Sequence, residues 1–116
     1  MLNQVVMVGR LAQDLEVKEL ENGEKEAIIT LAIPRSFKNE EGVYETDFVS
    51  CILLGQVATN TSEYCKKGDM IGIKGRLESR VYEDSDGNKK KRMEVIADRV
   101  TFLSSAKQKE AEPEMA

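Results

Sequence analysis

Charged residues fall at every second position along Lys74-Gly75-Arg76-Leu77-Glu78-Ser79-Arg80. In an extended strand that spacing puts Lys74, Arg76 and Arg80 on one face, where evenly spaced cations could follow a line of phosphates. A solvated strand face is the plainer alternative. Only Glu78 interrupts the row, however, and that favours phosphate contact. The denser run Lys89-Lys90-Lys91-Arg92 reads equally as a solvated hairpin arm or as a clamp over a backbone. Flat side chains are scarce, at 5% of the chain, so each can be weighed. Phe37 lies in a polar stretch beside Arg35 and Lys38, with little core to join. Phe48 points away from the more apolar set Val49, Cys51 and Leu53, and Tyr82 ends the cationic face. Exposed rings among cations can stack on nucleobases, because every base has a π-face. Tyr64 and Phe102 fit core or subunit packing better, and Tyr44 fits either.

Catalysis finds little support. The 116 residues include no histidine, which removes the commonest general base and the commonest metal ligand together. Cys51 and Cys65 are too few for a disulfide framework and lack the close pair spacing of zinc sites. Glu40-Glu41 and Glu83-Asp84 lie in polar turns, where solvated charge is the ordinary explanation. There is no nucleophile elbow, P-loop or dinucleotide fingerprint. A binding module is expected, not an enzyme, with no cofactor and no metal. The net charge of −4 argues mildly against a nucleic-acid partner. That objection concerns the whole chain, whereas phosphate neutralisation is local.

The elements that would position these residues are mostly strands. Val5 to Val8 opens the chain, Leu11 closes the run, and Gly9 suggests a bulge or bend. Asn22-Gly23 is a hairpin turn signal. Ala27 to Ile33 follows as a second strand that Pro34 should end. Ser36 to Thr46 then reads as a protruding polar loop, and Asp47 to Leu54 as a third strand. Val57, Thr61, Tyr64 and Cys65 recur at helical spacing, with Lys66-Lys67-Gly68 expected to close the helix and Gly68 at its C′ position. Met70 to Tyr82 alternates as a half-buried strand, with Ile71, Ile73, Gly75, Leu77 and Val81 against the core. Asp86-Gly87 turns the chain. In the fifth strand, Glu94, Ile96, Asp98, Val100 and Phe102 alternate with Met93, Val95, Ala97, Arg99 and Thr101.

Three strands, a short helix and a two-strand hairpin make an all-β chain. The architecture expected is a five-stranded Greek-key barrel with its helix between strands three and four, the OB-fold. Residues 1–103 would form this domain, and 104–116, rich in Ala, Glu and Lys, a short disordered tail. No apolar run approaches the roughly 20 residues that cross a bilayer, and the start lacks the pattern of a signal peptide. A cytoplasmic, nucleoid-associated location is expected, with no membrane contact.

Several stretches carry a resemblance. Asn3-Gln4-Val5-Val6-Met7-Val8-Gly9-Arg10-Leu11 resembles the opening of bacterial single-stranded DNA-binding proteins. So do Ala32-Ile33-Pro34-Arg35-Ser36-Phe37, Asp47-Phe48-Val49-Ser50-Cys51, Tyr64-Cys65-Lys66-Lys67-Gly68-Asp69, Gly75-Arg76-Leu77 and Arg80-Val81-Tyr82. The resemblance implies an OB-fold homotetramer that wraps single-stranded DNA during replication, recombination or repair. It places stacking positions at Phe37, Phe48 and Tyr82 and a fourth at Leu54, which can touch a base but has no π-face. With the cations, the expected DNA-binding set is Phe37, Phe48, Leu54, Tyr82, Arg35, Lys74, Arg76 and Arg80. Relatives usually end in an acidic, Phe-terminated tip that recruits other enzymes. The closing Ala111-Glu112-Pro113-Glu114-Met115-Ala116 lacks that pattern, so recruitment through the tail is not expected. The alternatives are an OB-fold RNA binder and a primosome-type accessory protein.

Overall fold

Alternation of apolar side chains builds the wall of the barrel. In the computed structural model, which describes residues 1–105, Ala27, Ile29 and Leu31 point inward from a long strand, Lys25–Lys38. Its neighbour, Tyr44–Leu54, contributes Cys51 and Leu53. The strands in chain order are β1 (Val5–Leu11), β2 (Val17–Glu19), β3 (Lys25–Lys38), β4 (Tyr44–Leu54), β5 (Met70–Glu83) and β6 (Lys89–Ser104). The helix α1 (Gln56–Tyr64) lies between β4 and β5. β1 pairs with β5 from Val5↔Gly75 to Arg10↔Met70, and also with β3 at Arg10↔Ala32 and Leu11↔Leu31. β3 pairs with β4, β4 runs parallel to β6, and β6 pairs with β5. Those five strands close a barrel; β2 adds to the edge of β3. The all-β OB architecture and its helix position are as the sequence indicated.

Leu11, Ile29, Leu31, Leu53, Ile71 and Ile73 are wholly enclosed, each such burial stabilising the fold by about 1.5–3 kcal/mol. The helix packs on β6, β3, β4 and β2 and buries Ala58 and Thr61, plugging the barrel. Cys51 and Cys65 are buried free thiols, and enclosure pushes the Cys51 thiol up to about 11, so it stays protonated.

Gly9 is no bulge, since the β1–β5 register runs through it unbroken. A Cβ there would lie 2.8 Å from the Ala32 carbonyl oxygen, so the position serves the close crossing of β1 onto β3. Gly68 is not the residue after the helix cap. The cap is Cys65, and Gly68 (φ +90°) completes a separate turn, its N–H donating to the Leu11 carbonyl. Strand β2 leaves no mark in the sequence pattern, because its three residues are too few for a visible period, although the turn after it forms at Asn22-Gly23 as expected. Pro34 does not end β3. It pairs with Thr46 where the register shifts, a place that tolerates a missing N–H, and pairing resumes at Lys38↔Tyr44. The supposed loop thus shrinks to a turn at residues 39–43, held by Asn39 Oδ1 accepting from the N–H groups of Glu41 and Val43.

The second hairpin departs most from its sequence pattern. Ile71, Ile73 and Gly75 are buried, but Leu77 and Val81 are 40% and 59% exposed. The reason is topological. β1 ends opposite Gly75, and past that point only β6 pairs with β5. Asn3 adds one further step, its side chain both donating to the Leu77 carbonyl and accepting from its N–H. Beyond it the hairpin is a free arm, not a half-buried sheet. The expected single alternation along β6 also fails, because Lys74 pairs with Arg99 and Gly75 with Ala97, leaving Asp98 as an extra residue. This bulge puts Val95 and Ala97 on the same side as Val100 and Phe102, and gives a 16-residue strand the bend it needs to follow the barrel.

Candidate nucleic-acid interface

The parallel pairing of β4 with β6 starts only at Cys51↔Val95. Residues before that point in both strands, 44–50 and 89–94, therefore leave the barrel at the same end, each paired only within its own hairpin. The result is a cleft between two arms. Its floor is the outer face of β3 and β4, where Ala32 faces Phe48, Thr30 faces Ser50, Ile28 faces Ile52 and Glu26 faces Leu54. A concavity of about 230 Å³ joins Ile28, Ser50 and Ile52 to Arg92, Met93 and Glu94 of the second arm.

Phe48 stands on this floor 67% exposed. Leu54 shares its face and is half-buried, but the two lie six positions apart along the strand, roughly 20 Å. Tyr82 lies on the second arm, 39% exposed, with the Arg92 guanidinium 5.0 Å from its ring centre. Phe37 is on β3 near the tip of the first arm, 62% exposed, and next to it Lys38 Nζ lies 5.6 Å from the centre of the Tyr44 ring. Tyr64 and Phe102, read as packed side chains, are both exposed in the protomer, Tyr64 at 73%.

The cations sit as the alternation required, but in different company. Lys74, Arg76, Arg80 and Tyr82 share a face of β5 with Arg99, Arg92 and Lys90 opposite them on β6. Glu78 is not the sole acid. Arg76 is held by Glu78 (2.7 Å) and by Asp98, and Arg80 Nε lies 2.8 Å from Glu94 Oε1. Strand order along β5 alone could not reveal acids delivered by β6. Lys74 makes no ion pair among the described residues. Arg35 donates two hydrogen bonds to Asp47 (3.0 and 3.1 Å) and one to Glu45 (3.0 Å). Those hydrogen bonds hold the Asp47 carboxyl below its usual range. Glu45 and Asp47 alternate with Phe48, so Arg35 grips the side of β4 away from that ring. Of the expected set, Phe48 stands on the floor of β3 and β4, while Arg80 and Tyr82 meet the concavity's lining residues Glu94 and Arg92 on the second arm. Arg76 lies nearer the barrel, Leu54 at the far end of the floor, and Phe37 and Arg35 on the first arm.

Residues 2–103 match the sequence profile of the single-strand binding protein family. The chain belongs to that family. Curated relatives in it include single-stranded DNA-binding protein B of Bacillus subtilis (strain 168), 44% identical over 103 residues, 89% of this chain and 91% of that one. Single-stranded DNA-binding protein 2 of Listeria innocua is 43% identical over 103 residues, 89% of this chain but 65% of the relative. Single-stranded DNA-binding protein 1 of Staphylococcus aureus (strain COL) is likewise 43% identical, and this chain spans 62% of it. Apart from the Bacillus subtilis protein, then, these single-strand binding proteins are longer than the segment matched here.

The sequence reading missed Ile28, Met93 and Arg92 as individual members of the cleft. A signal for Ile28 existed: Ala27, Ile29 and Leu31 are the inward set, so Ile28 is an apolar residue on the outward face, 55% exposed. If the Leu54 end of the floor also meets bases, Leu54→Phe should tighten oligo-dT binding, since an added ring brings a π-face to a half-open position. Tighter binding at an unchanged melting temperature is expected. A large loss of stability would show a packed wall there, where added volume costs about 1–3 kcal/mol.

Proposed function

We propose that this chain coats single-stranded DNA without reading its sequence, as a binding protein and not an enzyme, in replication, recombination or repair. The observation that supports the reading is the cleft between the two arms, with Phe48 exposed on the β3–β4 face and Tyr82 exposed on the second arm. Rings held apart on a rigid sheet accept any base, because stacking uses the π-face and not the hydrogen-bonding edge. Lys74 and Arg76 at the root of the second arm and Arg80 along it share one cationic face of β5 and supply the phosphate contacts. Phe37, Leu54 and Arg35 extend the path beyond the cleft on the floor and first arm.

Exposed apolar residues away from the cleft suit assembly. Val6, Val8 and Leu103 are each about half exposed or more, as is Tyr64, and Gly72 lies between Val8 and Leu103. A homo-oligomer, the tetramer in particular, would cover such surface. Residues 1–103 form the binding domain in this reading, followed by a tail. Among the described residues no helix is long and apolar enough to cross a membrane. A cytoplasmic, nucleoid-associated protein fits the proposed substrate.

A titration of labelled oligo-dT against duplex DNA and RNA of equal length, over a range of salt, tests the reading. Preference for oligo-dT, with little dependence on base sequence, is the expected outcome. Equal or stronger binding to RNA would favour the RNA-binding alternative, and weak binding to every strand would favour a role through protein contacts.

A further inference from the structure

Across the second arm, like charges face each other: Glu78 opposite Glu94, and Arg80 opposite Arg92. Directly opposed like charges repel, so each tier depends on its diagonal neighbours. Arg76 offsets Glu78, and Glu94 offsets both arginines of the second tier. Its Oε1 lies 2.8 Å from Arg80 Nε and its Oε2 3.6 Å from Arg92 Nη2. The carboxylate sits between two facing guanidinium groups, the place that an external anion would otherwise take. It also lines the concavity shared with Ile28, Ser50 and Ile52.

Burial separates Glu94 from the acids that hold Arg35 and Arg76. Its side chain is 13% exposed, against 49% for Asp47 and 52% for Asp98. Solvated pairs are heavily screened and exchange partners at little cost, whereas an enclosed carboxylate holds its cations more firmly. Even so the fit is imperfect. Oε1 is buried, and although Arg80 Nε is close, no donor is aimed along a hydrogen bond to it. A carboxylate in that state can be exchanged for a better-shaped anion with more acceptor oxygens.

We propose that Glu94 is a built-in phosphate mimic that occupies the Arg80–Arg92 site until a DNA phosphate displaces it. This inference rests on the proposed single-strand binding. Glu94 acts through the two arginines and is a positioning residue that limits affinity. It explains how an acidic chain can carry an arginine-rich arm without holding every polyanion it meets: only a strand also anchored by stacking at Phe48 and Tyr82 competes Glu94 away.

The experiment compares wild type, Glu94→Gln and Glu83→Gln by oligo-dT titration across salt. Glu83 is exposed, on the arm's other face and without an ion pair among the described residues, so its variant makes the same change in net charge without opening the site. Glu94→Gln frees one phosphate contact. The plot of log affinity against log salt should steepen by roughly 0.7, and binding at 0.1 M salt should tighten roughly fivefold. Glu83→Gln should leave the slope unchanged. Equal behaviour of the two variants, or weaker binding by Glu94→Gln at an unchanged melting temperature, would overturn the proposal. If Glu94→Gln does not fold, Glu94→Asp keeps the charge with a shorter reach. A smaller gain in the same direction would then support the mimic, and no gain would overturn it. Failure of the wild type to bind oligo-dT would instead sink the underlying functional reading.

Discussion

Replacing Phe48 with alanine should weaken oligo-dT binding by about 1–3 kcal/mol, a loss of roughly five- to 150-fold. The ring is 67% exposed and faces the small Ala32 across the strands, so it contributes little to the core. Thermal unfolding should therefore shift little. The expected signature is a large affinity change beside a small stability change, read by titration and by calorimetry on the same sample. Tyr82→Ala belongs to the same class, with a smaller effect expected because Arg92 already covers one side of that ring. Unchanged affinity with a collapsed melting temperature would mean that Phe48 serves the fold and not the ligand.

Gly75→Ala should do the reverse. A Cβ at Gly75 would fall well inside contact distance of the Ile96 carbonyl oxygen and 3.1 Å from Ala97 Cα. The obstacles are backbone atoms of the paired strand, which cannot swing aside as a side chain can. Gly75 also faces the bulge at Asp98, where the register slips and the second arm leaves the barrel. Accommodating a methyl group there means separating β5 from β6, so the cost should reach about 3 kcal/mol, the upper part of the range for overpacking. Because the arm is anchored at this point, strand binding should also fall, even at temperatures where the barrel survives. A variant as stable as wild type would show that the bulge is loose and the arm only weakly fixed.

The readable part of this chain was its local alternation, and the unreadable part was whatever strands do to one another. The inward set of β3 and β4 and the facing of Phe48 follow from period two alone. That alternation also marked Leu77 and Val81 as core residues, yet they are exposed, because the end of β1 opposite Gly75 decides coverage and no pattern within β5 encodes it. The ion pairs of Arg76 and Arg80 were hidden for a related reason. Their partners Asp98 and Glu94 lie 22 and 14 positions away and come alongside only through the β5–β6 register. Asp98 reaches Arg76 from a bulge, which a strict alternation cannot represent. Family resemblance named the aromatic positions, but the physical basis for the site, two arms leaving one end of the barrel because β4 and β6 are parallel, appears only in the fold.

The central claim is that bases stack on Phe48 in the cleft, and the chain offers a direct probe of it. It contains no tryptophan, so Phe48→Trp places a single reporter on the cleft floor. Oligo-dT should quench that fluorescence in a saturable titration whose midpoint matches the affinity measured independently by anisotropy of the labelled strand. Strong binding by anisotropy with tryptophan emission left unchanged would contradict the account and place the strand on another surface.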